Sequence, residues 1–380
     1  MSRRVAGALA AAAALLACPL LAAGAASAAG VASVTSPEGS LTAVSASAAG
    51  NAWAVGCRPA VFQCPGTGAD VAYHWTGSAW KQVNVPMPVP PNPLDTESGQ
   101  LTGVKVISAA DAWAVGTSSP TGAQIVHWNG TTWKQVAVPK LPAPYGTDYT
   151  LSGVGASSAS NVWAVGFGGD NQSIALHFNG RSWSRVPSPS PGSTYLYGVI
   201  ATSASNAWAV GSDIGSCACA KALILHWNGK AWKVAVSGFP STTSILYSVA
   251  AVSGSDVWAG GYTRATVNFT LLMKWNGSSW KRVTSGLGIA NPAGFTDVFG
   301  VAATSPGNVW AAGSRMLHWN GSTWKPVGIP ALPGFGLSSL TGIAATSGSN
   351  AWAVGSYNGT ADVSHIVILR WNGKAWTRVG

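Results

Sequence analysis

Charge is what this chain of 380 residues has least of. Asp, Glu, Lys and Arg together make up 8% of it, and only Glu38 and Glu97 are glutamates. So sparse a set of charges argues against a coiled coil, a long solvated helix or a disordered charged tail, all of which are rich in them. It also leaves little for acid–base chemistry, which needs titratable groups placed in concert. No Gly-x-Ser-x-Gly elbow and no phosphate-binding loop occurs, and the chain is read as having no catalytic residue, no metal site and no cofactor. Five cysteines are too few for a disulfide-built scaffold of this length. Past residue 28 no stretch stays apolar for the ~18 residues that a membrane-spanning helix needs.

The first residues are of another kind. MSRRVAGALAAAAALLACPLLAAGAASAAG begins with Arg3 and Arg4, runs on as an apolar stretch and reaches the small residues Ala26-Ser27-Ala28. That is the layout of a secretory signal peptide over 1–28, cleaved after Ala28, with 29–40 as an N-terminal lead-in. The alternative is a cell-surface lipoprotein attached through Cys18, because LLAC resembles a bacterial lipobox; the apolar PLLAA after it is unlike a polar tether. The mature chain is expected to be secreted, soluble and monomeric. Without Arg3 and Arg4, 19 basic residues face 11 acidic ones, a balance that suits anionic partners but does not point to specific nucleic-acid binding. After export, Cys57 and Cys64 are expected to pair; a bond between Cys217 and Cys219, one residue apart, would be strained, and their state is left open.

What is abundant is tryptophan, and it is periodic. WAVG, WAGG or WAAG occurs seven times, led by Trp53, Trp113, Trp163, Trp208, Trp258, Trp310 and Trp352. Each is followed by aromatic-(Asn/Thr)-Gly-x-x-Trp, as in HWNGTTW over 127–133. Its first aromatics are Trp75, Trp128, Phe178, Trp227, Trp275, Trp319 and Trp371; its second are Trp80, Trp133, Trp183, Trp232, Trp280, Trp324 and Trp376. All 20 tryptophans fall in these 21 slots, Phe178 taking the other. Each unit reads as four short strands: A (LTGIAATS), a Ser/Asn/Asp turn, B (xWAVG), a variable loop, C (ILHW), an Asn-Gly turn and D (WKxV). Four antiparallel strands per ~40–50 residues is the blade of a β-propeller. The chain is therefore expected to be all-β, a seven-bladed propeller over 41–380, with blades at about 41–85, 101–138, 151–186, 196–236, 246–283, 298–327 and 340–380. It begins with a strand A and ends with a strand D, which argues against strand exchange between the termini.

The N/D-x-W-A-V-G…H-W-N-G-x-x-W unit resembles the repeat of secreted actinobacterial β-propeller proteins. In layout it is similar to Asp-box (BNR-type) repeats and to seven-bladed bacterial lectins. The resemblance covers about 41–380 and implies a fold more than a function. An Asp-box carries Asp two residues before its Gly; here that position is aromatic, so Asp-box enzymology does not carry over.

The tryptophans are read as packing between blades, because slots filled alike in every repeat answer to the fold. The strand-C histidines His74, His127, His177, His226 and His318, replaced by Lys274 and Arg370 in two units, lie too far apart around a ring to share a metal. They are expected to be half-buried polar groups that interact with the next blade. Function is expected on the opposite face, where the B–C loops and D–A crossovers vary in length and, together with the N-terminal lead-in, carry nine of the eleven acidic residues. Candidate ligand-binding residues there are Tyr145, Asp148, Tyr149, Asp170, Asn171, Asp213, Asp297 and Asp362. The expected function is non-catalytic recognition of a glycan or cell-wall polymer; a protein–protein interaction scaffold is the alternative, and a propeller hydrolase or lyase a second one.

Overall fold

A computed structural model describes residues 37–58, 68–88, 98–119, 121–141, 149–169, 171–215, 219–237, 243–264, 268–287, 297–333, 336–359 and 363–379, all within one unit of the chain. The described residues form seven four-stranded antiparallel sheets and no helix. In sequence order the blades run Ser40–Val83 (β1–β4), Ser98–Val136 (β5–β8), Tyr149–Arg185 (β9–β12), Ser193–Ser237 (β13–β16), Thr243–Arg282 (β17–β20), Val298–Val327 (β21–β24) and Gly336–Arg378 (β25–β28). Each blade packs on the next, and blade 7 packs on blade 1, so the protein is a closed seven-bladed β-propeller.

The repeated aromatics are the joints. The strand-B tryptophan of each blade is buried against the strand-C and strand-D aromatics of the blade that follows, from Trp53 on Trp128 and Trp133 to Trp352 on Trp75 and Trp80. The strand-D rings meet it edge-on, at 79–86° and 4.9–5.4 Å between centroids. Edge-to-face contact is the geometry that ring quadrupoles favour. Seven separate hydrophobic clusters, one per joint, replace a single central core.

The turns of one face pack on each other. In the C–D turn the aromatics pair across it (Trp128 with Trp133), Asn129 Oδ1 accepts from the amides of Thr131 and Thr132, and Gly130 takes φ +96°. The connection is thus a four-residue Asx-type turn, longer than the two-residue hairpin that Asn-Gly suggests. A Cβ on Gly130 would also stand 3.1 Å from Ala110 Cβ in the A–B turn. Tryptophans 75, 128, 227, 319 and 371 donate their indole N–H to A–B turn carbonyls at 3.0–3.1 Å, tying the two turns together.

Blade 1 and blade 7 each keep four strands of their own, without strand exchange as expected, and the lead-in adds a short contact to the closure. Pro37–Gly39 lies along β27 (Ser364–Trp371), beside the stretch that short β28 (Trp376–Arg378) leaves unpaired. Ile366 N–H donates to Pro37 O at 3.0 Å and Gly39 N–H to Ser364 O at 2.9 Å, with Glu38 bridging His365. The lead-in contributes here what covalent D–A crossovers contribute elsewhere, as where Gly99 N–H donates to Gly68 O at 2.7 Å. Gly39 sits at φ +139°, with Cys57 O 2.9 Å from the position of a Cβ. Gly39→Val is expected to lower Tm by several degrees in thermal unfolding, since such backbone strain costs roughly 1–3 kcal/mol.

Candidate functional site at the ring axis

Strand A of every blade carries a β-bulge just after its buried Leu or Val. A bulge leaves one residue out of the ladder and re-aims its side chain. The extra residues are Thr42, Thr102, Ser152, Tyr197, Tyr247, Phe299 and Thr341, and all seven line a cavity of about 300 Å³ on the ring axis. No tryptophan lines it.

This slot breaks the sevenfold repeat. In blades 1, 2 and 7 a threonine hydroxyl fills it and fastens one blade to the next: Thr42 Oγ1 donates to Leu101 O and Thr102 Oγ1 to Leu151 O, both at 2.6 Å, and Thr341 Oγ1 donates to Leu41 O. In the consecutive blades 4, 5 and 6 large rings replace the hydroxyls. Tyr197 and Tyr247 lie 5.3 Å apart, Tyr247 and Phe299 5.3 Å, and Tyr247 and Tyr262 6.1 Å. Tyr197, Tyr247, Tyr262 and Phe299 are only half-buried, so one side of the axis is an aromatic crescent open to solvent. Tyr195, 4.9 Å from Phe167, extends the ring surface toward the variable face, its hydroxyl donating to Asn171 Oδ1 at 2.8 Å.

Burial, foremost, pushes the hydroxyls of Tyr197, Tyr247 and Tyr262 up; the Asp297 carboxylate adds to this for Tyr247 and Tyr262, and Arg264 opposes it for Tyr262. The phenols therefore stay protonated at neutral pH and can donate hydrogen bonds. Tyr197 bonds Ser212, and Tyr247 and Tyr262 share a hydrogen bond. Chemically, the arrangement offers ring faces, hydroxyl donors and one carboxylate.

Of the residues singled out in the sequence, Asp297 stands at this crescent and Asn171 at its outer end. Tyr149 instead is buried, its hydroxyl donating to Pro139 O at 2.9 Å and pushed up to about 12 by burial, which makes it part of the joint between blades 2 and 3. Asp213 is buried too, accepting from Thr194 Oγ1 at 2.8 Å. Tyr145, Asp148, Asp170 and Asp362 lie outside the described residues. Cys57 and Cys219 each take part in a disulfide; Cys64 and Cys217 lie outside the described residues. The crescent tyrosines are absent from the sequence-based candidates, yet the sequence carries a signal for them: aligned on strand A, LYGV, LYSV and VFGV stand against LTAV, LTGV, LSGV and LTGI.

The strand-C histidines are structural, but their partners differ from those expected. Each Nε2 donates to Oδ1 of the Asn or Asp opening strand B of its own blade (Asn51, Asp111, Asn161, Asn206, Asn308) at 2.7–3.0 Å. Each ring also lies against that strand's tryptophan, with centroids 4.1–4.4 Å apart and planes 6–36° from parallel. Burial holds His74, His177, His226 and His318 below the usual imidazole range. Lys274 takes the same place with Asp256 at 3.3 Å and Trp258 at 5.0 Å. Among the described residues no cluster of three His, Cys, Asp or Glu could hold a metal.

No family model and no curated protein matches the chain. Solved structures do. A GH74 xyloglucanase from Xanthomonas campestris is similar at TM-score 0.60 and 16% identity, over 89% of this chain and 53% of that one. An ulvan lyase of polysaccharide lyase family PL25 gives TM-score 0.55 and 9% identity, over 91% and 96%. YCF48 from Cyanidioschyzon merolae gives 0.51 and 18%, over 79% and 88%. At these identities what the chain shares with them is its fold, the β-propeller.

Proposed function

We propose that this is an exported carbohydrate-binding propeller whose site is the aromatic half of the axial cavity, Tyr197, Tyr247 and Phe299, with Tyr195, Tyr262 and Asp297 beside them. One observation carries the reading. Three adjacent blades give up the hydroxyl that fastens their neighbours and present half-exposed rings on the axis instead. A fold that packs identical tryptophans at seven joints gains nothing in packing from rings turned toward water, whereas pyranose C–H faces stack on such rings and sugar hydroxyls bond phenol and carboxylate groups. The ring has one crescent, so the site is single, unlike a set of equivalent inter-blade pockets. The Cys57–Cys64 bond expected from the sequence would fit an exported chain.

Glycan-array binding of the mature protein, followed by titration of the strongest hits, tests this. Tyr247→Ala is expected to weaken binding at least tenfold while Tyr149→Phe, in the joint between blades 2 and 3, leaves it unchanged. A single saturable protein partner with no glycan signal would refute the reading in favour of a scaffold.

A further inference from the structure

The same cavity holds one charged side chain. Lys105, on the inner strand of blade 2, lines it three residues beyond the bulge residue Thr102, so it lies about 10 Å along the axis from the level of the crescent. The corresponding positions in the other blades are Ser45, Gly155, Ile200, Ala250, Ala302 and Ala344, none charged. No Asp or Glu lines the cavity, and among the described residues no group accepts a hydrogen bond from Lys105. Burial holds its ammonium below the usual lysine range. A half-buried lysine without a counter-ion is costly, and a lone cation lining a cavity is what an anionic ligand completes.

The geometry points to an acidic saccharide as the ligand: a sugar bearing a carboxylate or sulfate, its ring against Tyr197, Tyr247 and Phe299 and its acid group on Lys105 Nζ. This rests on the carbohydrate reading and narrows it. A volume of about 300 Å³ is at the small end for ligand pockets, which suits one or two sugar units standing along the axis.

Isothermal titration of the mature protein with galactose, galacturonic acid and galactose 6-sulfate, and with their short oligomers, tests it, using wild type and Lys105→Met. Wild type is expected to bind one or both acidic sugars at least tenfold tighter than the neutral one, with an advantage that shrinks as salt rises. Lys105→Met is expected to bind acidic and neutral sugars alike, with neutral affinity kept and a Tm no lower than wild type. Preference for the carboxylate over the sulfate, or the reverse, identifies the acid group. Neutral binding with no acidic advantage in wild type, or an advantage that survives Lys105→Met, overturns the inference and leaves the carbohydrate reading standing. Absence of binding by every sugar on the array overturns both.

Discussion

Trp352→Ala is expected to lower the free energy of unfolding by about 3–5 kcal/mol, the usual cost of removing a buried aromatic ring. Trp352 is fully buried and packs on Trp75 at 4.8 Å and Trp80 at 5.2 Å, with the Arg370 guanidinium 5.0 Å from its ring. These contacts join blade 7 to blade 1, the one joint that no D–A crossover spans, so this substitution weakens the seal as well as emptying a cavity. Trp163→Ala removes the equivalent ring from a joint that the chain does cross. It is expected to cost a similar amount in urea unfolding but to keep a single sharp transition, whereas Trp352→Ala broadens it or lowers the m-value. A loss below about 1 kcal/mol at Trp352 would mean that the tryptophan joints do not hold the ring. Among the described residues the strand-B and strand-D indole N–H groups lack an acceptor. A Trp→Phe change there forfeits no hydrogen bond and is expected to cost much less.

Asp70→Asn is expected to stabilise the protein at neutral pH, by roughly 1–3 kcal/mol. Asp70 lies at the joint of blades 1 and 2, where burial raises its carboxyl from 3.8 to about 6. Bonds from Gln124 Nε2, at 2.8 Å, and from the Leu101 main chain offset only part of that, and Oδ1 is buried without a partner. A carboxyl raised on folding contributes most below its unfolded value. That contribution fades as pH rises from about 4 through about 6, and above this the buried carboxylate weighs against the fold. Asn keeps the acceptor for Gln124 and cannot ionise. The gain in Tm over wild type should therefore be present at pH 7 and vanish below pH ~4. A loss at pH 7 would show that Asp70 is stabilised as the anion, and a gain independent of pH would show that its ionisation is not what weighs against the fold.

The fold was legible because its joints repeat. Trp53 and its six counterparts answer the same packing demand at each joint, so periodicity alone yields blade number and strand order. That the strand-C histidines are structural was legible from their replacement by Lys274 and Arg370, but their partners were not, since the bond to the residue opening strand B of the same blade is a matter of strand register. The bulge was not, because it is a property of register: nothing in LTGV says that Thr102 is left out of its ladder. Without the bulge, Tyr197, Tyr247 and Phe299 read as ordinary strand residues, and the variable loops read as the recognition surface. Placement of Pro37–Gly39 against β27 was hidden for a like reason, since edge pairing between distant segments leaves no local pattern. Tyr149 looked like a loop residue only because it follows one; its register with Gly168 buries it.

The central claim is that one crescent on the axis, and none of the seven tryptophan joints, binds the ligand. Calorimetric stoichiometry with a saturating oligosaccharide tests it most directly. One ligand per chain is predicted, with no measurable heat in a folded Tyr197→Ala/Tyr247→Ala variant. Several equivalent ligands per chain, or binding untouched by that double substitution, would contradict it.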